Sequence, residues 1–348
     1  VSSACILGCA GTRLSSSEKA FFREVRPWGF ILFARNIVSA DQTQALIADL
    51  REAIDDSGAL VMVDQEGGRV QRLKPPLARR RPAAAAFGAL YRSDPGLAHE
   101  AVWLNHRLMA HDLTILGFDA DCAPCLDLPQ LGAHAVIGDR AFGAEVDCVV
   151  DLGRAAMAGL KAGGVAPIIK HIPGHGRAGA DSHQALPIVD TPRAVLEAGD
   201  FAPFRALNDA PMAMTAHVLY SSVDPGACAT VSSSVIATVI RGFIGFQGLL
   251  MSDDLSMRAL GGTLAERTWA ALAAGCDVVL HGNGALVGEP VRDLAAELEE
   301  VAKASPELTG RAAERAKTAR AAARRAEPFD REAAEARLAE LGLEGVMA

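Results

Sequence analysis

Short runs of apolar, β-favouring residues recur along the chain, separated by longer segments in which apolar positions return every three to four residues. Eight such runs read as strands: ACILGCA (4–10), WGFILFA (28–34), ALVMVDQ (59–65), FDADCAP (118–124), APIIKHI (166–172), PMAMTAH (211–217), GLLMSDD (248–254) and CDVVLHG (276–282). Strands that alternate with helical segments pair in parallel, and eight of them in that order predict a single-domain (β/α)8 barrel of the α/β class. Such a barrel takes about 250 residues. The surplus falls in a long Gly/Pro/Arg-rich loop over 66–97, a second loop after the fourth strand, and two Ala/Arg-rich helical segments, 307–327 and 330–343. The expected division is a catalytic barrel over 1–305 and a helical extension over 306–348 packed on it.

Polar residues gather at the ends of these runs. Asp64 closes the third, Asp121 and Asp127 flank the end of the fourth, and Lys170 and His171 lie at the end of the fifth. His217 closes the sixth, Asp253 and Asp254 the seventh, and His281 the eighth. In a (β/α)8 barrel the C-terminal ends of the strands carry the active site, so six strands of eight ending in ionisable groups predict an enzyme.

Composition narrows the reaction partner. Half of the 348 residues are hydrophobic, enough for a large core, and the net charge is -8 with a pI near 5.6. That balance points away from nucleic acid and from anionic membranes, and toward a small neutral or cationic substrate. Seven cysteines are too sparse for a disulfide framework and read as reduced thiols. No apolar run reaches the roughly 20 residues of a membrane span, and VSSACILGCAG lacks the basic and hydrophobic regions of a signal peptide. The expectation is a cytoplasmic protein, monomeric or weakly homo-oligomeric. ILGC at 6–9 has the shape of a lipoprotein cleavage box, but it reads better as the first strand; the initial Val leaves trimming of the N-terminus open.

The densest chemistry lies in KHIPGHGRAGADSHQALP (170–187). Its Gly174-x-Gly176-x-x-Gly179 spacing matches a dinucleotide fingerprint, but no helix can begin inside the motif before Pro187, as that site requires. His171 and His175 have helical metal-ligand spacing, broken by Pro173-Gly174. A metallohydrolase barrel of the amidohydrolase kind would recruit Lys170, His217 and Asp253, and would also need an H-x-H pair in the first strand, which is absent; this stays as the alternative. Cys122-x-x-Cys125 has redox spacing but sits at a strand end, where small apolar packing is the simpler reading. Asp181-Ser182-His183 places a carboxylate two residues before an imidazole, able to hold its tautomer and raise its basicity for acid/base work. Asp253, at the end of an apolar strand, is the candidate nucleophile.

The 170–187 motif and GFQGLLMSDDLSM (245–257) together resemble the signature segments of bacterial β-N-acetylhexosaminidases of glycoside hydrolase family 3. GFILFARNI, VDQEGGRVQRL, CAPCLDLP, VIGDRAFG, MTAHVLY, ATVSSSVI and ALAAGCDVVLHG extend the resemblance over about 5–300. It implies a barrel enzyme that removes terminal β-linked N-acetylglucosamine from peptidoglycan fragments, notably the disaccharide ending in 1,6-anhydro-N-acetylmuramic acid, in cytoplasmic cell-wall recycling. Neither metal nor organic cofactor is implied. The roles that carry over are nucleophile for Asp253, acid/base dyad for Asp181 and His183, and sugar contacts for Asp64, Arg72, Arg140, Lys170 and His171, with His217 and Met257 at the rim. Phosphate in place of water as acceptor, making the enzyme a phosphorylase, is a second alternative. Ile172 stands where the family has Phe, a change of packing beneath the loop, and the helices beyond 310 match no part of the pattern.

Overall fold

The computed structural model describes residues 1–284, 293–323 and 325–345; the last three residues of the 306–348 extension lie outside them. All eight expected strands form: β1 (Ser3–Leu7), β2 (Pro27–Leu32), β3 (Leu60–Val63), β4 (Ala120–Asp121), β5 (Ala166–Ile172), β6 (Met212–Thr215), β7 (Leu249–Asp254) and β8 (Val278–His281). They close into a parallel barrel in sequential order, with β1 paired to both β2 and β8. The protein is a single-domain (β/α)8 barrel wrapped by helices. Among the described residues no helix is long and apolar enough to cross a membrane.

Period-two alternation sorts each strand's side chains between two cores. Leu60 and Met62, Ala166 and Ile168, Met212 and Met214, and Leu249 and Met251 point into the barrel and pack with Ile6, Trp28 and Leu280. Val61 and Val63, Ile169, Ala213 and Leu250 point out, against the helices. One more inward step along β3, β5 and β7 reaches Asp64, Lys170 and Asp253. The same alternation that fills the barrel with apolar layers therefore raises three charged groups above them.

Local signals fix the surrounding helices. Ser15 and Glu18 form a reciprocal capping box at Ser16–Val25, as do Thr263 and Glu266 at Leu264–Ala274, each worth about 1 kcal/mol. The 22-residue helix Pro95–Leu116 begins on the Asp94 cap and ends on Gly117 in the left-handed region at φ 93°. The stretch 66–97, expected as loop, holds a short hairpin (Gln65–Gly67 with Val70–Gln71) and the helix Ala84–Tyr91. Its alanines are the best helix formers. Gly88 admits the chain there, because a Cβ would lie 1.5 Å from the Phe142 carbonyl oxygen.

The C-terminal segment does more than pack outside the barrel. Leu308, Ala316 and Ala319 join the inward core, Leu308 N–H donates to Ser2 O (2.8 Å), and Arg320 donates to Trp28 O (2.8 Å). The helix Gly310–Arg320 is thus a floor under the strands. The next helix, Arg331–Glu340, offers Glu335 to the buried Arg81 in a bidentate pair (2.8 and 3.0 Å). Arg81 N–H in turn donates to Gln71, whose amide holds the carbonyls of Leu73 and Arg79 (both 2.7 Å). We propose that 306–348 and the barrel unfold as one unit. Glu335→Ala leaves a buried guanidinium with, among the described residues, Asp112 at 3.7 Å as its remaining carboxylate, so a loss of about 3 kcal/mol is expected. A single thermal transition, lowered by roughly 4 °C, is the predicted result; two separate transitions would show independent parts.

Candidate active site

At the C-terminal mouth, Asp64, Arg72, His183, Asp253 and Met257 line one pocket, with Phe33 and Ile31 forming an apolar side. Asp64 receives Lys170 Nζ (2.9 Å) and Arg72 Nη2 (3.0 Å). Burial alone would raise its carboxyl, but the two cations outweigh this and hold it far below the usual carboxylate range. Arg72 is aimed by its backbone as well, since Gln65 Oε1 accepts both Arg72 N–H and Leu73 N–H (2.9 and 3.0 Å). Lys170, 2% exposed, also pairs with Glu66 at 2.5 Å. Burial would strip its proton; the carboxylates of Asp64 and Glu66 keep it charged well above the ordinary lysine range.

Glu66 ties the next pair together. It holds Arg140 in a bidentate bridge (2.8 and 2.9 Å), and Arg140 and Lys170 keep its carboxyl at about 2 against the effect of burial. Arg140 Nη2 lies 3.4 Å from His171 Nε2. On its other side His171 Nδ1–H donates to Asp127 Oδ2 (2.7 Å), so Nε2 is left as the acceptor. All five expected sugar contacts, Asp64, Arg72, Arg140, Lys170 and His171, therefore belong to one connected network. Glu66 and Asp127 complete it. The sequence placed Asp127 at the end of the fourth strand without a specific role and did not single out Glu66, although Glu66 stands two residues after Asp64, the spacing that shares a face in extended chain.

Asp181 and His183 meet as expected, with Nδ1–H and the backbone N–H of His183 both donating to Asp181 Oδ1 (2.9 Å each). Burial pulls the Asp181 carboxyl upward, yet these two donors bring it below its ordinary value. The bond through Nδ1 leaves Nε2 as the edge of the imidazole turned away from Asp181. The dyad loop rests on the segment after β7, where Ala259 N–H donates to Ser182 O (3.1 Å).

The neighbours Asp253 and Asp254 part company. Asp253 continues the inward series of β7 and faces the pocket; its Oδ1 accepts only Asp254 N–H (2.8 Å) among the hydrogen bonds described. Asp254 accepts from the N–H groups of Ser256 (2.9 Å), Gly282 (3.2 Å) and Gly284 (3.3 Å) and lies 3.5 Å from His281 Nδ1. Burial opposes its ionisation, but His281 and the N–H donors hold it well below the carboxylate range. His281 is lowered by burial and raised more strongly by Asp254 and Glu297, reaching about 9. Its stabilising contribution is full below the unfolded value of about 6.5 and disappears as pH rises through 9. Asp254→Asn should accordingly destabilise most between about pH 4 and 6.5 and least above 9; a melting-temperature difference that grows with pH would contradict the pairing.

Two strand-end residues have structural duties. His217 is fully buried, bonded to Thr230 Oγ1 (2.7 Å) and donating Nε2–H to Asp254 O (3.1 Å), so it lies behind the pocket and not at the rim. Asp121 sits inside the wall with one oxygen on Gln65 N–H (2.9 Å) and the other unpaired. Burial, with Asp64 and Glu66 adding to it, pushes its carboxyl well above the usual carboxylate range.

The donors that a metal would need are otherwise engaged. Lys170 serves two carboxylates and both nitrogens of His217 are bonded, so the set Lys170, His217 and Asp253 does not converge on a cation. Cys125, Asp127 and His171 are the one metal-like grouping among the described residues. Their donors are hydrogen-bonded at 3.2 and 2.7 Å, whereas ligands of a tetrahedral zinc stand about 3.3 Å apart or more. The thiol is pushed up by burial and by Asp127, against the thiolate a metal requires.

Comparison with known proteins agrees with this geometry. Residues 10–317 match the Glycosyl hydrolase family 3 N terminal domain. The chain is 44% identical over 286 residues to the Beta-hexosaminidase of Alkalilimnicola ehrlichii, covering 80% of each protein. It is 38% identical over 291 residues to the Beta-hexosaminidase of Xanthomonas axonopodis pv. citri, covering 82% of this chain and 86% of that one. The crystal structure of NagZ from Neisseria gonorrhoeae in complex with N-trifluoroacetyl-D-glucosamine superposes with a TM-score of 0.81 at 31% identity, covering 98% of this chain and 95% of that one. Another structure of that NagZ, in complex with zinc ion, has the same TM-score and coverage at 29% identity. The chain belongs to glycosyl hydrolase family 3. Within it, the chain is a glycosidase of the β-hexosaminidase type, acting on carbohydrate.

Proposed function

We propose that the protein is a retaining exo-β-N-acetylglucosaminidase that removes terminal β-linked N-acetylglucosamine from peptidoglycan fragments, with GlcNAc-1,6-anhydroMurNAc, with or without peptide, as substrate. The observation that carries the reading is the pocket itself: a carboxylate, Asp253, faces a carboxylate-held imidazole, His183, across a site floored by Asp64 and Arg72. The N-acetylglucosamine-type ligand of the Neisseria relative supports the sugar. All seven cysteines are buried free thiols, in keeping with the reducing cytoplasm where cell-wall recycling occurs.

The chemistry follows from these groups. Asp253 Oδ attacks the anomeric carbon as the protonated His183 gives its Nε2 proton to the departing glycosidic oxygen, so that the C–O bond breaks and a glycosyl ester forms. The neutral imidazole then takes a proton from water, whose oxygen attacks the same carbon and frees Asp253. Asp181 stabilises the imidazolium at both ends of the cycle. Lys170, Arg72 and Arg140 donate to sugar hydroxyls and Asp64 accepts from them, strengthening as charge develops on the ring.

The test is turnover of GlcNAc-1,6-anhydroMurNAc with and without inorganic phosphate. Free N-acetylglucosamine released with β configuration, at a rate phosphate does not change, is expected; N-acetylglucosamine 1-phosphate as product would instead identify a phosphorylase, and an inert disaccharide would rule out the muropeptide reading. In view of the zinc complex of the relative, exhaustive chelation tests directly for a metal requirement. Activity should persist in chelator, and loss restored by zinc or manganese would revive the metallohydrolase alternative.

A further inference from the structure

His175, one turn of loop before the dyad, has no part in the chemistry above, yet both its backbone and its ring are anchored. Its backbone is gripped on both sides. Gly174 O accepts the Tyr220 hydroxyl, and Gly176 presses so closely on Leu128 that a Cβ would lie 1.9 Å from the Leu128 carbonyl oxygen. His175 N–H donates to Asp127 Oδ1 (2.7 Å), the carboxylate that also holds His171, and the two rings meet edge to face at 5.7 Å. From this fixed base Nε2 reaches the hydroxyl of Ser182 (3.1 Å), the middle residue of the dyad triplet, which is itself 2% exposed.

Nδ1 of His175 is buried without a partner. A buried N–H left unpaired costs more than a buried lone pair, so the proton belongs on Nε2 and is donated to Ser182 Oγ. Burial first, then the neighbouring His171, lower the ring to about 4, which keeps it neutral at working pH and unfit to shuttle protons. What it can do is hold.

We propose that His175 is a positioning residue: its bond to Ser182 fixes the segment that carries Asp181 and His183, and Asp127 joins that anchor to the sugar-contacting His171. This inference rests on the reading of His183 as the acid/base. Acid catalysis requires the imidazole within hydrogen-bond reach of the glycosidic oxygen, and a displacement of about 1 Å can cost on the order of 10²-fold.

The test compares His175→Phe, His175→Gln, Ser182→Ala and the double variant His175→Phe/Ser182→Ala, each checked for folding by its melting curve. Substrates are GlcNAc-1,6-anhydroMurNAc, whose leaving oxygen needs a proton, and the p-nitrophenyl glycoside, whose leaving group does not. His175→Phe should lower kcat/KM for the disaccharide by about ten- to a hundred-fold and first-turnover nitrophenol release by less than about threefold. His175→Gln, whose Nε2 can still donate to Ser182, should recover most of the loss. Ser182→Ala should match His175→Phe, and the double variant should be no worse than either, since one bond is removed in all three. Equal losses on both substrates, a Gln variant as poor as Phe, or additive single effects would overturn the proposal. Should His175→Phe fail to fold, Ser182→Ala and the Gln variant decide alone. His183→Ala run alongside separates the two readings: if it discriminates between the substrates and His175→Phe does not, only the positioning role falls; if His183→Ala does not discriminate, the acid/base assignment falls and the positioning role with it.

Discussion

Asp253→Ala is expected to abolish turnover, by roughly 10⁴-fold or more, in a protein that still folds. The side chain caps the inward series Leu249–Met251–Asp253 of β7, and its carboxylate accepts one backbone N–H from its own neighbour. Removing it therefore takes away the proposed nucleophile and little that holds the strand. Asp254→Asn should behave in the opposite manner. That carboxylate binds three N–H groups from the loops after β7 and β8 and sits beside His281; its loss should lower the melting temperature while kcat stays within about tenfold of the parent. Steady-state rates and melting curves of the two variants check this. Equal losses of activity, or loss confined to Asp254→Asn, would reverse the assignment.

His183→Ala should separate substrates by their leaving groups. General acid catalysis contributes about 10²–10⁴-fold, and the gain is greatest for a departing sugar alkoxide and least for a nitrophenolate. The disaccharide should slow by that factor, whereas first-turnover release of nitrophenol should persist. Hydrolysis of the glycosyl ester needs the same imidazole as base, so a burst should be followed by a slow steady state. Azide needs no deprotonation and should speed the second step, giving a β-glycosyl azide. Asp181→Asn should show a milder version, because the ring remains but loses the carboxylate that orients it. If both substrates slow equally, with neither burst nor azide rescue, His183 only orders its loop.

Much of this could be read from the chain because one rule, period-two alternation, governs both the barrel core and its mouth. Apolar inward positions identify the strands, and the next inward residue on β3, β5 and β7 is a charged one, so Asp64, Lys170 and Asp253 were legible together. Asp181 and His183 were legible because two residues suffice to make their contact. Other features escaped for physical reasons. Asp127 gains its meaning from His171 and His175, more than forty residues away in sequence, and no local pattern records that. His217 looks like any strand-end histidine until Thr230 and the Asp254 carbonyl claim both of its nitrogens. The floor helix Gly310–Arg320 meets the barrel through alanines, whose small apolar faces leave a weak periodic signal. The Gly/Pro/Arg richness of 66–97 signalled loop, but the alanine run at 84–91 and the close approach of Phe142 favour helix there.

If Asp253 forms a covalent bond to the sugar, that bond can be trapped. A 5-fluoro N-acetylglucosaminyl fluoride suits the purpose: ring fluorine disfavours the positively charged transition states of both steps, while the fluoride leaving group rescues only the first. Inactivated enzyme, digested with trypsin, should carry one added fluoro-sugar on the peptide 242–258, and fragmentation should place it on Asp253 rather than Asp254. Activity should return as the adduct hydrolyses. An adduct on any other residue, or steady turnover with inverted anomeric configuration and no adduct, would contradict the account.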